Sequence, residues 1–232
     1  VVWRLSTGGI LSLKSIHEIV FMDLAKEKER LISDLISEGY LKSPEVIAAF
    51  RKVARENFVL PQDRAFAYSD NPLHIMAGQT ISAPHMCAIM IELLELNGGE
   101  RILEIGAGSG YNAALMSELV GPKGKITSIE ISHELAALAR RNLQSSGYKN
   151  VKVSAGDATL HYEKDNYYDR IIATCACPEI PKGLIPQLKE GGIILVPVDS
   201  WAHQELILGR KVGTNLKLEK HGSCIFVPLR HE

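Results

Sequence analysis

One repeated pattern paces the second half of the chain. From Arg101 to Val198, short runs rich in Ile, Val and Leu alternate with stretches of helical period, and the first run opens onto Gly106, Gly108 and Gly110. Parallel strands cannot be joined by a tight hairpin, so a chain built this way must cross over the sheet between strands. The periodicity predicts strands over 101–105, 125–130, 151–155, 169–174 and 193–198, with helices over 111–120, 133–146 and 180–189. Right-handed crossovers then give an α/β chain, a doubly wound Rossmann-like parallel sheet with helices on both faces. Beyond Pro197 the pattern changes to hairpin-like alternation over 205–211, 215–220 and 223–227, broken at Gly213 and Gly222, which predicts antiparallel C-terminal strands.

The first half is helical and then irregular. Leu24, Leu31, Leu35 and Ile36 form the apolar stripe of a helix beginning near Met22 and closed at Gly39. Ser43, Pro44 and Glu45 read as N-cap, first helical position and first-turn acid of a second helix, with Val46, Ile47, Phe50 and Val53 facing inward. Residues 57–80 hold Pro61, Asp70, Pro72 and Gly78 and predict loops with short strands; a third helix follows over 84–96. Residues 1–21 lack a small-residue cleavage site, fit a signal peptide poorly, and read either as sequence upstream of a natural start at Met22 or as a weakly structured extension. The expected organisation is therefore an extension over 1–21, a helical cap with a substrate loop over 22–96, and a cofactor domain with a C-terminal hairpin region over 97–232.

Composition narrows the function. Lys and Arg number 26 against 27 Asp and Glu, a net charge of −1, so no global positive field draws the protein to nucleic acid or anionic membrane. No apolar run approaches the roughly 18 residues of a membrane helix. Four scattered cysteines suit a reducing, cytoplasmic setting, and neither a second cysteine pair nor a histidine pair joins Cys175 and Cys177 to complete a metal site, so no metal is expected.

The glycine loop ends a strand and opens a helix, where backbone can approach a ligand closely. Glycines also occur wherever a turn is tight, and context decides between the two. Glu130 ends the next strand, where an acid can bond ribose hydroxyls, though a solvated surface glutamate is the plainer alternative. The spacing Gly106-x-Gly108-x-Gly110 departs from the dinucleotide pattern, and Glu104, just before it, suits a cationic ligand group better than a pyrophosphate. Gly156 and Asp157 follow the third strand, where the carboxylate could accept from an adenine amino group or simply cap its own loop. In order and spacing, these residues resemble the cofactor site of class I methyltransferases, which use S-adenosyl-L-methionine.

A second block is more specific. Gly78-Gln-Thr-Ile-Ser-Ala-Pro-His-Met86, the glycine loop, Gly156-Asp157 and Phe226-Val-Pro-Leu229 together resemble the protein-L-isoaspartate (D-aspartate) O-methyltransferases, from Met22 onward. The resemblance implies an S-adenosylmethionine-dependent methyltransferase fold and methyl transfer to the free α-carboxylate of L-isoaspartyl, and also D-aspartyl, residues in damaged proteins, with repair through a succinimide. It implies that Ser82 is the active-site serine, that Thr80, Ile81 and His85 share the substrate loop, and that isoaspartyl peptides and proteins are the partners. Cys87 departs from the His or Val of some members. An α-carboxyl with a pKa of about 3.5 is already ionised and needs no base, so hydroxyl and backbone donors suffice. Ser82 could instead cap the third helix, but Pro84 takes the first helical position and leaves Ser82 one residue early. His85 reads more simply as a packing or loop-bonding histidine, and Asp70 as a loop acid that could help close over a peptide.

Three rivals share parts of this pattern. A nucleic-acid methyltransferase could use Cys175 or Cys177 as nucleophile, but the Cys177-Pro178 order is reversed relative to such enzymes and the charge is unsuitable. A hydroxyl-methylating small-molecule enzyme commonly needs a metal or base. A non-catalytic sensor of the adenosyl ligand would keep the pocket without turnover.

Overall fold

The computed structural model describes residues 13–160, 168–200 and 203–230, with side chains from residue 24 onward. The first helix, α1 (Leu13–Ser37), begins upstream of Met22, the expected start; the remainder of the proposed extension, residues 1–12, lies outside the described residues. Leu31 and Leu35 are buried as expected, whereas Ile36 is 40% exposed. Helix α2 (Pro44–Lys52) buries Val46, Ala49 and Phe50, with Val53 at its C-cap. Ser43 stands at the N-cap but does not cap: its hydroxyl donates to Glu92 Oε2 and its N–H to Glu92 Oε1 at 2.8 Å. The expected cap is thus redirected into a tie to the next helix.

Residues 55–66 form 3-10 turns, followed by a small antiparallel pair, β1 (Leu73–His74) and β2 (Thr80–Ile81). Helix α3 (Pro84–Leu93) stops short of the expected residue 96. The pattern beyond it is β3 (Arg101–Ile105), α4 (Tyr111–Val120), β4 (Lys125–Glu130), α5 (His133–Ser145), β5 (Val151–Ala155), β6 (Tyr168–Ala173), β7 (Leu188–Asp199), β8 (Gln204–Val212) and β9 (Asn215–Cys224). One seven-stranded sheet results, in the order β5-β4-β3-β6-β7-β8-β9. Its first five strands pair in parallel and the last two pairings, β7 with β8 and β8 with β9, are antiparallel.

Two expectations over this half are corrected. The helix over 180–189 is only a 3-10 turn, Lys182–Leu184. Pro186 cannot donate to the helical ladder and would clash with the preceding turn, and Pro181 and Gly183 weaken the segment further. The strand over 223–227 is not separate: β9 runs through Gly222 to Cys224, and the register shift opposite Glu205 and Ile207 absorbs that glycine as an irregularity within one strand.

Buried residues of α1, α2 and α3 share one core with the sheet face bearing Ile102, Ile126, Ile172 and Leu195. A second cluster, including Leu103, Ile171, Ile194 and Val196, fills the opposite face. Such near-continuous apolar strands follow from a parallel sheet covered on both sides. Between Leu188 and Ile193, β7 bulges away from β6. The bulge closes at Gly192, where an added Cβ would stand 2.8 Å from Leu188 Cγ and 2.9 Å from the Asp169 carbonyl. Because that carbonyl is backbone of a central strand, it cannot move aside. Gly192→Ala is therefore expected to lower stability by about 1–3 kcal/mol, read as a reduced urea midpoint with an unchanged m-value; an unchanged midpoint would show that the bulge relaxes freely.

Candidate active site

Beside β3 the sheet order turns: β4 lies on one side and β6 on the other. Chains leaving the carboxyl ends of these strands diverge, which is where open α/β sheets form their binding crevice. Here the crevice is a cleft of about 750 Å³, open mouth included. Gly106 and Gly108 form its floor, Glu130 and Gly156 one wall, and Thr174 and Cys175 the other. The segment 227–229 closes over it, pinned where Ala176 N–H donates to Val227 O at 2.8 Å and Leu229 N–H to Ala176 O at 2.7 Å.

Each predicted cofactor residue can now be placed. Gly106 has φ +92°, and a Cβ there would sit 2.6 Å from Thr174 Oγ1, so glycine is required by both torsion and space. Gly110 borders neither of the cavities described here; a Cβ on it would meet Leu143 Cγ at 3.1 Å, so it lets α4 approach α5. Glu130 is buried at the cleft wall, accepting from Gly108 N–H at 2.9 Å and Ser132 N–H at 3.0 Å. Its carboxylate is thus fixed at the end of β4, where a ribose diol could meet it. Gly156 lines the cleft, while Asp157 Oδ1 accepts from Thr159 N–H and Thr159 Oγ1, both at 2.7 Å, and caps its own turn. Glu104 lies outside the cleft lining: it is fully buried, with Oε2 accepting from Ser128 Oγ and Oε1 without a partner. Desolvation pushes its carboxyl up to about 8, the Ser128 bond opposes the shift, and neighbouring Glu130 adds to it.

The substrate-loop residues border a second, smaller cavity, with Thr80, Ile81 and Ser82 on one side and Ser109, Tyr111 and Asn112 on the other. Thr80, Gly106, Gly108 and Thr174 border both cavities, so the two spaces meet there. Ser82 makes no capping bond. That role falls to Asp70, whose Oδ1 accepts from the His85 backbone N–H at 2.9 Å and whose carboxylate also holds His85 Nδ1 at 2.9 Å. His85 is thereby turned to Asp70 and lies outside the linings of both cavities.

Sequence reading missed Thr174, Asn112 and the full reach of the C-terminal segment. Thr174 Oγ1 donates to Gly106 O at 2.6 Å, an adjacency that only the β3–β6 pairing creates. Asn112 is 8% exposed and its Oδ1 has no partner; its place in the first turn after the glycine loop was the one available signal. The Cys175 thiol is held protonated by a hydrogen bond with the Cys177 thiol and by burial, which suits packing rather than nucleophilic attack. Among the described residues no group of three His, Cys, Asp or Glu is placed to hold a metal ion.

The sequence model of the protein-L-isoaspartate(D-aspartate) O-methyltransferases matches residues 26–232. The chain belongs to this family. A Methanopyrus kandleri protein-L-isoaspartate O-methyltransferase is 47% identical over 206 residues, spanning 88% of this chain and 91% of its own. One from Ignicoccus hospitalis is 47% identical over 210 residues, covering 90% of this chain and 100% of its own. A solved protein-L-isoaspartate O-methyltransferase superposes with a TM-score of 0.79 at 32% identity, covering 87% of this chain and 65% of its own. A Plasmodium falciparum chain in complex with S-adenosyl-L-homocysteine has the same fold, with a TM-score of 0.79 at 22% identity over 88% of this chain and 98% of its own.

Within this isoaspartate methyltransferase framework, Glu104 gives a pH signature. Its pKa is raised in the folded state, so between about 4.5 and about 8 the unfolded chain loses a proton that the folded chain keeps, and stability falls as pH rises through that window. Glu104→Gln removes this dependence. Urea denaturation of the cofactor-free protein at pH 5 and pH 8.5 should show a loss in the wild type that exceeds the variant's by about 2–4 kcal/mol; equal losses would mean Glu104 is ionised throughout.

Proposed function

We propose that this protein transfers a methyl group from S-adenosyl-L-methionine to the free α-carboxylate of L-isoaspartyl residues, and of D-aspartyl residues as a second class, in damaged proteins. The following backbone amide nitrogen then attacks the ester carbonyl and loses its proton, methanol leaves, and hydrolysis of the resulting succinimide returns part of the damage to normal aspartate. The observation that carries this reading is the junction of two cavities at Thr80, Gly106, Gly108 and Thr174, in a chain matched by the family over residues 26–232.

The larger cleft suits an adenosyl ligand: Ile129, Ile131 and Leu135 offer apolar surface, Glu130 an acceptor, and the glycine loop an open backbone. When bound, the cofactor supplies an electrophilic methyl carried on a sulfonium. Glu130, Gly106, Gly108 and Gly156 hold it, with Asp157 shaping the turn around Gly156 and Glu104 acting from behind the loop. Ser82, Thr80 and Ile81 orient the acceptor in the smaller cavity, and His85 with Asp70 fixes the start of α3 beneath that loop. The acceptor carboxylate is ionised at neutral pH, so the site works by alignment and exclusion of water, which can be worth up to about 7–11 kcal/mol. Residues 22–96 act as the substrate-side cap and 97–232 as the cofactor unit.

The partners are isoaspartyl-bearing peptides and proteins rather than nucleic acid or membrane, consistent with a net charge of −1. No helix among the described residues is long and apolar enough to cross a membrane. Free, buried cysteines at 87, 175, 177 and 224 support a reducing, cytoplasmic setting.

Transfer of labelled methyl to paired peptides differing only in L-isoaspartyl or L-aspartyl linkage tests the reading, scored as base-labile ester. Label should enter the isoaspartyl peptide alone. Ser82→Ala should slow this transfer by about tenfold or more while cofactor affinity by calorimetry stays constant; equal labelling of both peptides, or full activity in the variant, would contradict the proposal.

A further inference from the structure

Arg55 is fully buried, in the 3-10 turn Arg55–Asn57 that follows α2. Of its five N–H donors, the one on Nε is used, to Ala67 O at 2.8 Å; Nη1 and Nη2 make no hydrogen bond of full geometry and interact only loosely with the Cys87 thiol and the Tyr111 hydroxyl. Burying a guanidinium with most of its donors idle is expensive, and a Met of similar length would avoid the cost. The surroundings suggest why the charge is there. Its Cζ lies 5.0 Å from the centroid of the Tyr111 ring, an aromatic face that offsets part of the desolvation. Its charge also acts on the Cys87 thiol, drawing it down while burial pushes it up to about 11. Tyr111 and Cys87 are both walls of the cavity that holds Ser82, and Cys87 Sγ donates to Ser82 O at 3.7 Å. Arg55 therefore stands directly behind that cavity.

No charged side chain lines the cavity among the described residues. Three acids stand around it: Glu56 accepts from the Tyr68 hydroxyl, Asp70 holds His85, and Glu130 accepts from the N–H of the lining residue Gly108. Among the described residues Arg55 is the one buried cation, and it faces the cavity lining from the cap side. We propose that Arg55 is a positioning residue that selects the ionised form of the acceptor, drawing a carboxylate into the Ser82 cavity from behind Tyr111 and Cys87.

This inference rests on the carboxylate-methylating reading and adds a kinetic signature to it. Methyl transfer forms the carboxylate O–CH3 bond as the sulfonium S–CH3 bond breaks, the electron pair staying on sulfur, so an anion and a cation become a neutral ester and a neutral thioether and charge is already fading at the transition state. A fixed cation then stabilises the bound carboxylate at least as well as the transition state, and its benefit appears in binding rather than turnover. Arg55 should govern KM and leave kcat alone.

The test is steady-state methyl transfer with the full chain, using an isoaspartyl peptide as substrate and the same peptide with its α-carboxyl replaced by carboxamide as a neutral competitor. Arg55→Met should raise the substrate KM by about tenfold or more, keep kcat at or above the wild-type value, and leave the Ki of the neutral competitor and the cofactor affinity unchanged. Arg55→Lys, which keeps the charge, should hold KM within about threefold. If the Met variant does not fold, the Lys variant decides, and a tenfold rise in its KM overturns the proposal. An equal rise in KM and in the competitor's Ki would mark a packing role and overturn it as well, as would a loss of kcat at constant KM. A wild-type chain that labels no isoaspartyl peptide would instead remove the reading beneath it.

Discussion

The close passage of two chains at the end of β3 is the constraint on which the site depends. There Gly106 N–H donates to Ile129 O at 2.8 Å on the β4 side, and Thr174 N–H donates to Ile105 O at 2.9 Å on the β6 side. The two neighbours are thus stitched to β3 up to its last residue, and the chain must then escape forward through a turn that no side chain can occupy. Thr174 Oγ1 fills the space where a Cβ on residue 106 would lie and bonds to the Gly106 carbonyl. With that turn fixed, α4 must start at Tyr111, and Tyr111 carries the ring that closes the cavity beside Ser82 and meets Arg55 on its far side.

The same turn separates two buried acids from a buried base. On the β3–β4 side stand Glu104 and Glu130, both buried, and Glu130 adds to the rise of the Glu104 carboxyl. On the cap side stands Arg55, buried and short of acceptors. Neither arrangement favours the cofactor-free fold: two carboxyls and a guanidinium each lose hydration that their protein partners restore only in part. Arg55 fits the proposed entry of a carboxylate on the cap side, whereas Glu104, protonated up to about 8, presents a neutral carboxyl behind the glycine loop.

Much of this was legible in the sequence, and the failures have physical causes. The βα rhythm from Arg101 to Ser145 could be read because short Ile- and Leu-bearing runs, 101–105 and 125–130, alternate with helix-forming stretches long enough to cross over the sheet. The crossover between β6 and β7 was misread because Ile180, Leu184, Ile185 and Leu188 imitate helical spacing, while Pro181, Gly183 and Pro186 deny the backbone a helix. The string from Thr80 to Met86 marked the substrate loop by kind. Arg55 was invisible, because a basic residue between Ala54 and Glu56 in a polar turn reads as a solvated surface charge, and only tertiary packing buries it. Thr174 was equally hidden, since its partner Gly106 lies far away in sequence and the pairing depends on strand order.

The substrate loop itself turns on which residue caps α3. Serine just before a helix ordinarily spends its hydroxyl on the first exposed backbone N–H groups. Here Pro84 removes one of those donors, and Asp70, reaching from another segment, takes the His85 N–H instead. A carboxylate at a helix N-terminus also opposes the helix dipole favourably, so the substitution of cap for cap costs the fold little. The bond to His85 Nδ1 then locks the same carboxylate in place from a second direction, and the Tyr40 ring packs against the imidazole with centroids 5.5 Å apart. Helix capping thereby falls to Asp70, which lets Ser82 border the cavity without any duty to the helix that follows it.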